Sequence, residues 1–273
     1  MKNFKNYAFS ESFKESMLLF VFVAFANSCL VSCEDPTINN LPQAAQPDSV
    51  CIYSVNSEKR VQEVFQSKII YQYDENGNKI SEITVLRNSE EYGKIEYEYD
   101  ARNNRIAETQ FTRNIEENKW VEFLHKDYTY NSKDKLVRIV VYDVMDKDGS
   151  RDSIVVSNVE WLDDLQSWTY QKSLIYGLWL ETWRFNEFYS ETGKSLKRVA
   201  YYYNPDSKSW DEEYTIECTY DHHDNVVLER RNEHSIISEY TCQNTYNEDG
   251  LLLTVLSTQG NSQEKKVYYY TDK

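Results

Sequence analysis

Glycine and proline are scarce, seven and four in 273 residues. The glycines are scattered and supply neither a P-loop nor a dinucleotide-binding fingerprint, both of which need glycines clustered where backbone wraps phosphate. No G-x-S-x-G elbow is present, so an α/β-hydrolase serine has no support. There are four histidines, with no H-E-x-x-H motif and no cysteine pair at zinc spacing. A basic excess is lacking too. Thirty Lys and Arg stand against forty-five Asp and Glu, a formal charge of −15, which argues against the phosphate-neutralising surface that nucleic acid requires. The apolar run "MLLFVFVAFA", Met17 to Ala26, is shorter than the roughly twenty residues of a spanning helix.

That run has another meaning. Lys2, Lys5 and Lys14 precede it and small residues follow it, which is the layout of an export signal. Leu30-Val31-Ser32-Cys33 resembles a lipobox, whose cysteine is acylated and becomes the new N-terminus. Glu34 and Asp35 resemble the acidic address of Bacteroidetes surface lipoproteins. An ordinary signal peptide with incidental Cys29 and Cys33 is the alternative, and translation from Met17 instead of Met1 stays open. Residues 1–33 are thus expected to be a lipoprotein signal ending at the anchor Cys33. The anchor would hold the chain at the outer membrane, facing the cell surface, through lipid alone. Residues 34–50 hold Pro36, Pro42 and Pro47, three of the four prolines, and read as an extended tether. Residues 51–273 read as the folded domain.

Tyrosine is abundant: twenty-three, beside six tryptophans, and both types favour strands. Six of the tyrosines open related hexapeptides, at Tyr73 ("YDENGN"), Tyr99, Tyr130, Tyr189, Tyr220 and Tyr246. The next position holds Asp74, Asp100, Asn131, Ser190, Asp221 or Asn247, short side chains that bond to backbone about two residues on and start a turn. Three positions later stand Gly77, Asn103, Asp134, Gly193, Asp224 and Gly250. These are the residue types that best tolerate a left-handed backbone. Glycine and aspartate share no reactivity, so the motif predicts a hairpin corner, a type I turn followed by a left-handed bulge residue.

The flanks alternate with period two, as in Trp210, Tyr214, Ile216, Cys218 and Tyr220 against Glu213, Thr215, Glu217 and Thr219. Seven residues beyond each tyrosine stands an aliphatic: Ile80, Ile106, Val137, Leu196, Val227 or Leu253. With the bulge turn these point away from the tyrosine face. Trp120, Trp179 and Trp210 each precede a corner tyrosine by ten and read as packing residues. The doubled gap between Tyr130 and Tyr189 predicts a degenerate copy near Trp161 to Trp168, with a further turn in "VYDVMDKDGSRDS". "KVYYYTD" supplies a last strand. The reading is all-β, an antiparallel meander of repeated hairpins with about twelve to fourteen strands, as a curved sheet, sandwich or open barrel. Cys218 and Cys242 would then fall on next-but-one strands, roughly 9 to 10 Å apart by strand spacing. That is beyond the ~7 Å reach of a disulfide, so Cys51, Cys218 and Cys242 are expected to be free.

Tyr71-Gln72-Tyr73-Asp74 and Tyr97-Glu98-Tyr99-Asp100 resemble the YD repeats of RHS-type bacterial surface and toxin proteins. Closer still are uncharacterised Bacteroidetes secreted lipoproteins that combine Tyr-x-Tyr-Asp corners with an upstream Trp. The resemblance covers about Phe65 to Lys273. It implies an exported repeat architecture without naming an activity, and the array is far shorter than an RHS shell.

Chemistry is harder to find. The turn at Asp146-Lys147-Asp148-Gly149 fails the EF-hand pattern, with Val144 and Val155 at positions one and twelve. A weak calcium site among the corners stays open. His222 and His223 look metal-like, but adjacent side chains on a corner are expected to diverge into solvent. No metal, cofactor or catalytic set is therefore expected. Trp161 and Trp168 lie off register and are the candidates for an exposed platform that stacks on sugar rings or a partner protein. The expectation is a non-enzymatic, surface-anchored binding module for a glycan, a protein or an envelope component. The alternatives are an exported carboxylate-dependent, glycosidase-like hydrolase and a purely structural envelope protein.

Overall fold

Alternating apolar and polar residues make strands, and turns started by Asx residues fold them into consecutive hairpins. The computed structural model describes residues 46–56, 62–114, 116–143, 152–175 and 177–270. The export signal, Cys33, most of the tether and the centre of "VYDVMDKDGSRDS" lie outside the described residues. The strands are β1 (Ser49–Asn56), β2 (Gln62–Tyr73), β3 (Lys79–Leu86), β4 (Glu91–Tyr99), β5 (Arg105–Asn114), β6 (Lys119–Tyr130), β7 (Leu136–Tyr142) and β8 (Ser153–Trp161). They continue as β9 (Gln166–Ile175), β10 (Leu178–Tyr189), β11 (Ser195–Asn204), β12 (Ser209–Tyr220), β13 (Val226–Glu233), β14 (Ile236–Tyr246), β15 (Leu252–Gln259) and β16 (Ser262–Tyr269). Each pairs antiparallel with its neighbours in sequence, and β16 returns to β1, so the sheet closes into a barrel. The meander is as expected. Among the described residues the strands number sixteen, above the expected twelve to fourteen; the hairpins at the rim opposite the tyrosine corners share no one signature, although Asn114 and Asn204 start similar turns.

The corners have the expected geometry. The N–H of Gly77 bonds to the Asp74 carbonyl at 3.1 Å, and the N–H of Asp74 bonds to Asn78 at 2.9 Å; the other five corners repeat both bonds. Gly77, Asn103, Asp134, Gly193, Asp224 and Gly250 all have φ between 58° and 84°. The Asx oxygen works as predicted: Oδ1 of Asp100 accepts from the backbone of Arg102 and Asn104 at 2.8 and 2.9 Å. The degenerate copy forms the β8–β9 turn, where Leu162 N–H bonds to Gln166 at 3.0 Å.

Two bulges recur in the repeat. The aliphatic residue seven beyond the tyrosine is the extra residue each time: Ile80, Ile106, Val137, Leu196, Val227 and Leu253. A second bulge lies seven residues before the corner, at Gln66, Tyr92, Phe123, Ile154, Thr182 and Glu213. An inserted residue bends the strand, increases its twist and resets which side chains face inward.

Side chains converge inside a closed barrel and diverge outside it, so the more buried face is the inner one. On β14, Ser238, Tyr240, Cys242, Asn244 and Tyr246 are partly buried while Ile237, Glu239, Thr241, Gln243 and Thr245 are exposed. Following the pairings round the barrel, the tyrosine face is inward and includes the buried Tyr97, Glu108, Ser167, Ala200, Tyr214 and Ile216. Charged residues stand at many outward mid-strand positions, among them Glu96, Arg138, Glu160, Lys172, Glu217 and Arg230, interspersed with apolar and aromatic ones such as Ile70 and Trp168. A membrane barrel needs an outward apolar band about 25 Å tall, and these charges interrupt such a band.

The corner tyrosines clip neighbouring units together. Tyr99 donates to the carbonyl of Lys79 at 2.8 Å, Tyr130 to Arg105 at 3.0 Å, Tyr220 to Ser195 at 2.7 Å and Tyr270 to Leu252 at 2.9 Å. Tyr73 donates to Pro47 at 2.9 Å. The end of the tether thus joins the barrel, with Asp48 bonded to both Tyr269 and Tyr71 and Val50 only 2% exposed. Cys51, Cys218 and Cys242 form no disulfide with one another.

Candidate functional site

Three clusters of side chains are chemically distinctive. The first is an inward ion network on β3 to β6. Glu108 accepts from Lys126 at 2.8 Å, Gln110 at 2.6 Å and Tyr128 at 3.1 Å, with Arg105 at 3.7 Å. Beside it Tyr97 donates to Glu82 at 2.7 Å, and the Arg105 guanidinium lies over the rings of Tyr97 and Tyr128. Burial alone would raise the Glu108 carboxyl, but Lys126 and then Arg105 outweigh it and hold the pKa at about 2. Burial, then the nearby carboxylates, push the Tyr97 phenol far above its ordinary value. Such a network fixes charge in place and keeps protons where they are.

The second cluster is inward and aromatic. Trp183 stacks on Phe185 with centroids 5.9 Å apart and meets Tyr202 and Tyr214 at 5.3 and 6.1 Å. Sequence reasoning passed over Trp183. Its signal was parity: it lies six residues before Tyr189 with no bulge between, which places it on the tyrosine face.

The third cluster runs diagonally over the outer wall from β9 to β12. Trp168 packs against Tyr170 and Tyr201 at 6.4 and 5.8 Å, and Tyr203 against Trp210 at 5.3 Å. Arg184 ties the two halves together, 4.0 Å from the Trp210 ring and 5.4 Å from Tyr170. Its Nε is buried and has no acceptor among the described residues. Four adjacent strands make this stripe roughly 15 Å wide.

The two candidate tryptophans therefore part company. Trp168 belongs to the outward stripe. Trp161 faces inward at the rim, where its indole N–H donates to Leu136 at 2.8 Å and its ring stacks on Tyr189 at 5.2 Å beneath Lys135. It fills the place of a corner tyrosine, and the expectation that it forms an exposed platform is corrected. The repeat-locked tryptophans are also outward: the bulge seven before each corner reverses their side. Trp120 lines a shallow outer cleft with Ile80, Ser81 and Lys94, and Trp179 is 43% exposed.

His125 is buried on the outer face, bonded to Thr109 at 2.8 Å and Asp127 at 3.0 Å. His222 and His223 do not diverge as expected. Their rings lie 4.0 Å apart, with His223 4.2 Å from Tyr246, whose ring gathers them on one side of the corner.

No family model matches the chain, and no curated protein matches it. Solved structures that it resembles include a porin-like protein from Bacteroides vulgatus, at 7% identity over 82% of this chain and 98% of that one, with a TM-score of 0.48. A porin-like protein from Bacteroides uniformis matches at 9% identity over 82% of this chain and 98% of that one, with a TM-score of 0.33. A DUF3836 family protein from Bacteroides vulgatus is 28% identical over 32% of this chain and 90% of that one, with a TM-score of 0.27. The superpositions are too loose for any of these proteins to lend this chain a function.

Proposed function

We propose that the chain is an exported, lipid-tethered repeat barrel that binds glycan on its outer wall, through the aromatic stripe of Trp168, Tyr170, Tyr201, Tyr203 and Trp210. The observation that carries this reading is the pairing of that stripe with Arg184, whose part-exposed guanidinium lies over Trp210 and beside Tyr170 and reaches Glu181 at 3.6 Å. Aromatic faces stack on the apolar faces of sugar rings, and a part-exposed guanidinium between them can donate to sugar hydroxyls. The convex setting suits binding better than hydrolysis. Carboxyls with displaced pKa, at Asp100, Glu108 and Asp221, are all held low, the reverse of what a general acid needs. The YD-repeat resemblance, the lipobox at Cys33 and the charges spread over the outer wall fit an outer-membrane surface protein whose contact with the bilayer is its lipid.

The test titrates the full-length chain in detergent with a panel of host and dietary polysaccharides while following tryptophan fluorescence. A saturable change lost in both Trp168→Ala and Arg184→Ala, and kept in the inward Trp183→Phe, is expected. A response that survives Trp168→Ala, or silence across the panel, would overturn the glycan assignment. Separately, radiolabelled palmitate should enter the wild-type chain and not Cys33→Ala.

A further inference from the structure

A second site lies at the rim opposite the tyrosine corners. Three features of the chain place side chains there. The bulge in β12 makes Glu213 an extra residue, left out of the pairing of Ala200 with Tyr214 and of Tyr201 with Glu212. Glu233 ends β13 on the inward face, directly opposite Tyr214. The two-residue turn to β14 puts His234 and Ser235 at φ 48° and 67°, and histidine is among the few non-glycine residues enriched in that region. The outcome is a cluster in which one ligand atom from each of Glu213, Glu233 and His234 lies within 4.8 Å of the others. Nε2 of His234 is 3.6 Å from Oε2 of Glu213.

We propose that Glu213, Glu233 and His234 form a three-ligand site for a divalent transition metal such as zinc, with its fourth position open to water. Two ligand atoms on a tetrahedral zinc, each about 2.0 Å from the ion, stand about 3.3 Å apart. The His234–Glu213 pair is close to that spacing already, and rotation of partly exposed side chains closes the rest. One imidazole nitrogen with two carboxylates is a zinc-type donor set. Calcium would want six or more oxygens. Charge favours a cation as well. Two carboxylates face one nearby guanidinium, Arg231, which bonds Oε2 of Glu233 at 3.0 Å and otherwise packs over Tyr214. The opposite corner histidines do not contribute: His222 and His223 sit at the other end of β13, about 25 Å away along eight residues. Bound metal would staple the β13–β14 hairpin to β12 at the mouth of the barrel.

The test is calorimetric titration of the full-length chain with zinc sulfate, with cobalt(II) as a spectroscopic probe. One zinc per chain is expected, with visible cobalt bands of a low-coordinate site and a raised thermal midpoint. His234→Ala and Glu213→Gln should each weaken binding by more than roughly tenfold without changing the far-ultraviolet dichroism. Absence of binding would overturn the proposal. So would affinity unchanged in both variants, or affinity lost in a His222→Ala/His223→Ala double variant and kept in His234→Ala.

Discussion

Trp161 gives its indole N–H to the carbonyl of Leu136 at 2.8 Å, and Tyr130, one unit earlier, gives its hydroxyl to Arg105 at 3.0 Å. Two different side chains thus perform one task at equivalent corners. Each reaches sideways to the first residue of the strand after the preceding turn. Tyr99, Tyr130 and Tyr220 place a donor at that point of their units, and tryptophan supplies it where the tyrosine is missing.

That equivalence is testable by substitution. Trp161→Tyr should leave stability close to wild type, since a hydroxyl can reach the same carbonyl. Trp161→Phe keeps the stacking on Tyr189 and removes the donor, at a cost of about 1 kcal/mol. Urea unfolding of both variants decides it. Equal stabilities for Phe and Tyr would mean that the bond to Leu136 contributes nothing and the ring alone matters.

The left-handed corner residues should respond to substitution by conformation rather than by chemistry. Gly77 has φ 84°, and a Cβ there would stand 3.1 Å from Nε2 of Gln46. Gly77→Ala should therefore cost about 1 to 2 kcal/mol. Asp224 adopts φ 61° in the same place. Asp224→Gly relieves that strain, offsets it with chain entropy, and should change stability by less than about 0.5 kcal/mol. Thermal denaturation of the two variants checks the contrast. A large loss in Asp224→Gly would give its carboxylate a role that the corner geometry does not.

Much of this architecture was legible because each corner carries its own physical signature. Asp74 and Gly77 state a turn and a positive φ in four residues, and the six copies could be aligned by that demand alone. The opposite rim has no signature common to all its turns. Its turns are built variously from Pro205 to Lys208, from His234 and Ser235, or from Gly260, so strands were undercounted and closure stayed open. Bulges explain the rest. Trp120, Trp179 and Trp210 lie an even number of residues before their tyrosines, and simple alternation would put them on the tyrosine face. The extra residues Phe123, Thr182 and Glu213 reverse that. A bulge residue has no fixed type: phenylalanine, threonine and glutamate serve equally, and only a backbone pairing reveals them. The Trp210 end of the outward stripe and Glu213 of the rim cluster depend on the β12 bulge, so the sequence could not place them.

Glu108 should set an acid limit on the barrel. Burial pushes its carboxyl upward, yet Lys126 and Arg105 pull harder, and the folded pKa falls from 4.5 to about 2. A folded value below the unfolded one means that the charged form is stabilised by folding. Its contribution is fully present above the unfolded value near 4.5 and is lost as pH falls through about 2. The amount at stake is on the order of 3 kcal/mol. Glu108→Gln removes the charge that Lys126 and Arg105 share and leaves both cations crowded on the inner wall, so at neutral pH it should cost about 3 to 5 kcal/mol. The variant should also lose part of the pH dependence, the remainder coming from groups such as Asp100 and Asp221 that are likewise held low. Unfolding free energies for both chains between pH 5 and pH 2 give the answer. A wild-type slope matched by the variant would place the acid sensitivity elsewhere on the barrel and make the Glu108 network a bystander to it.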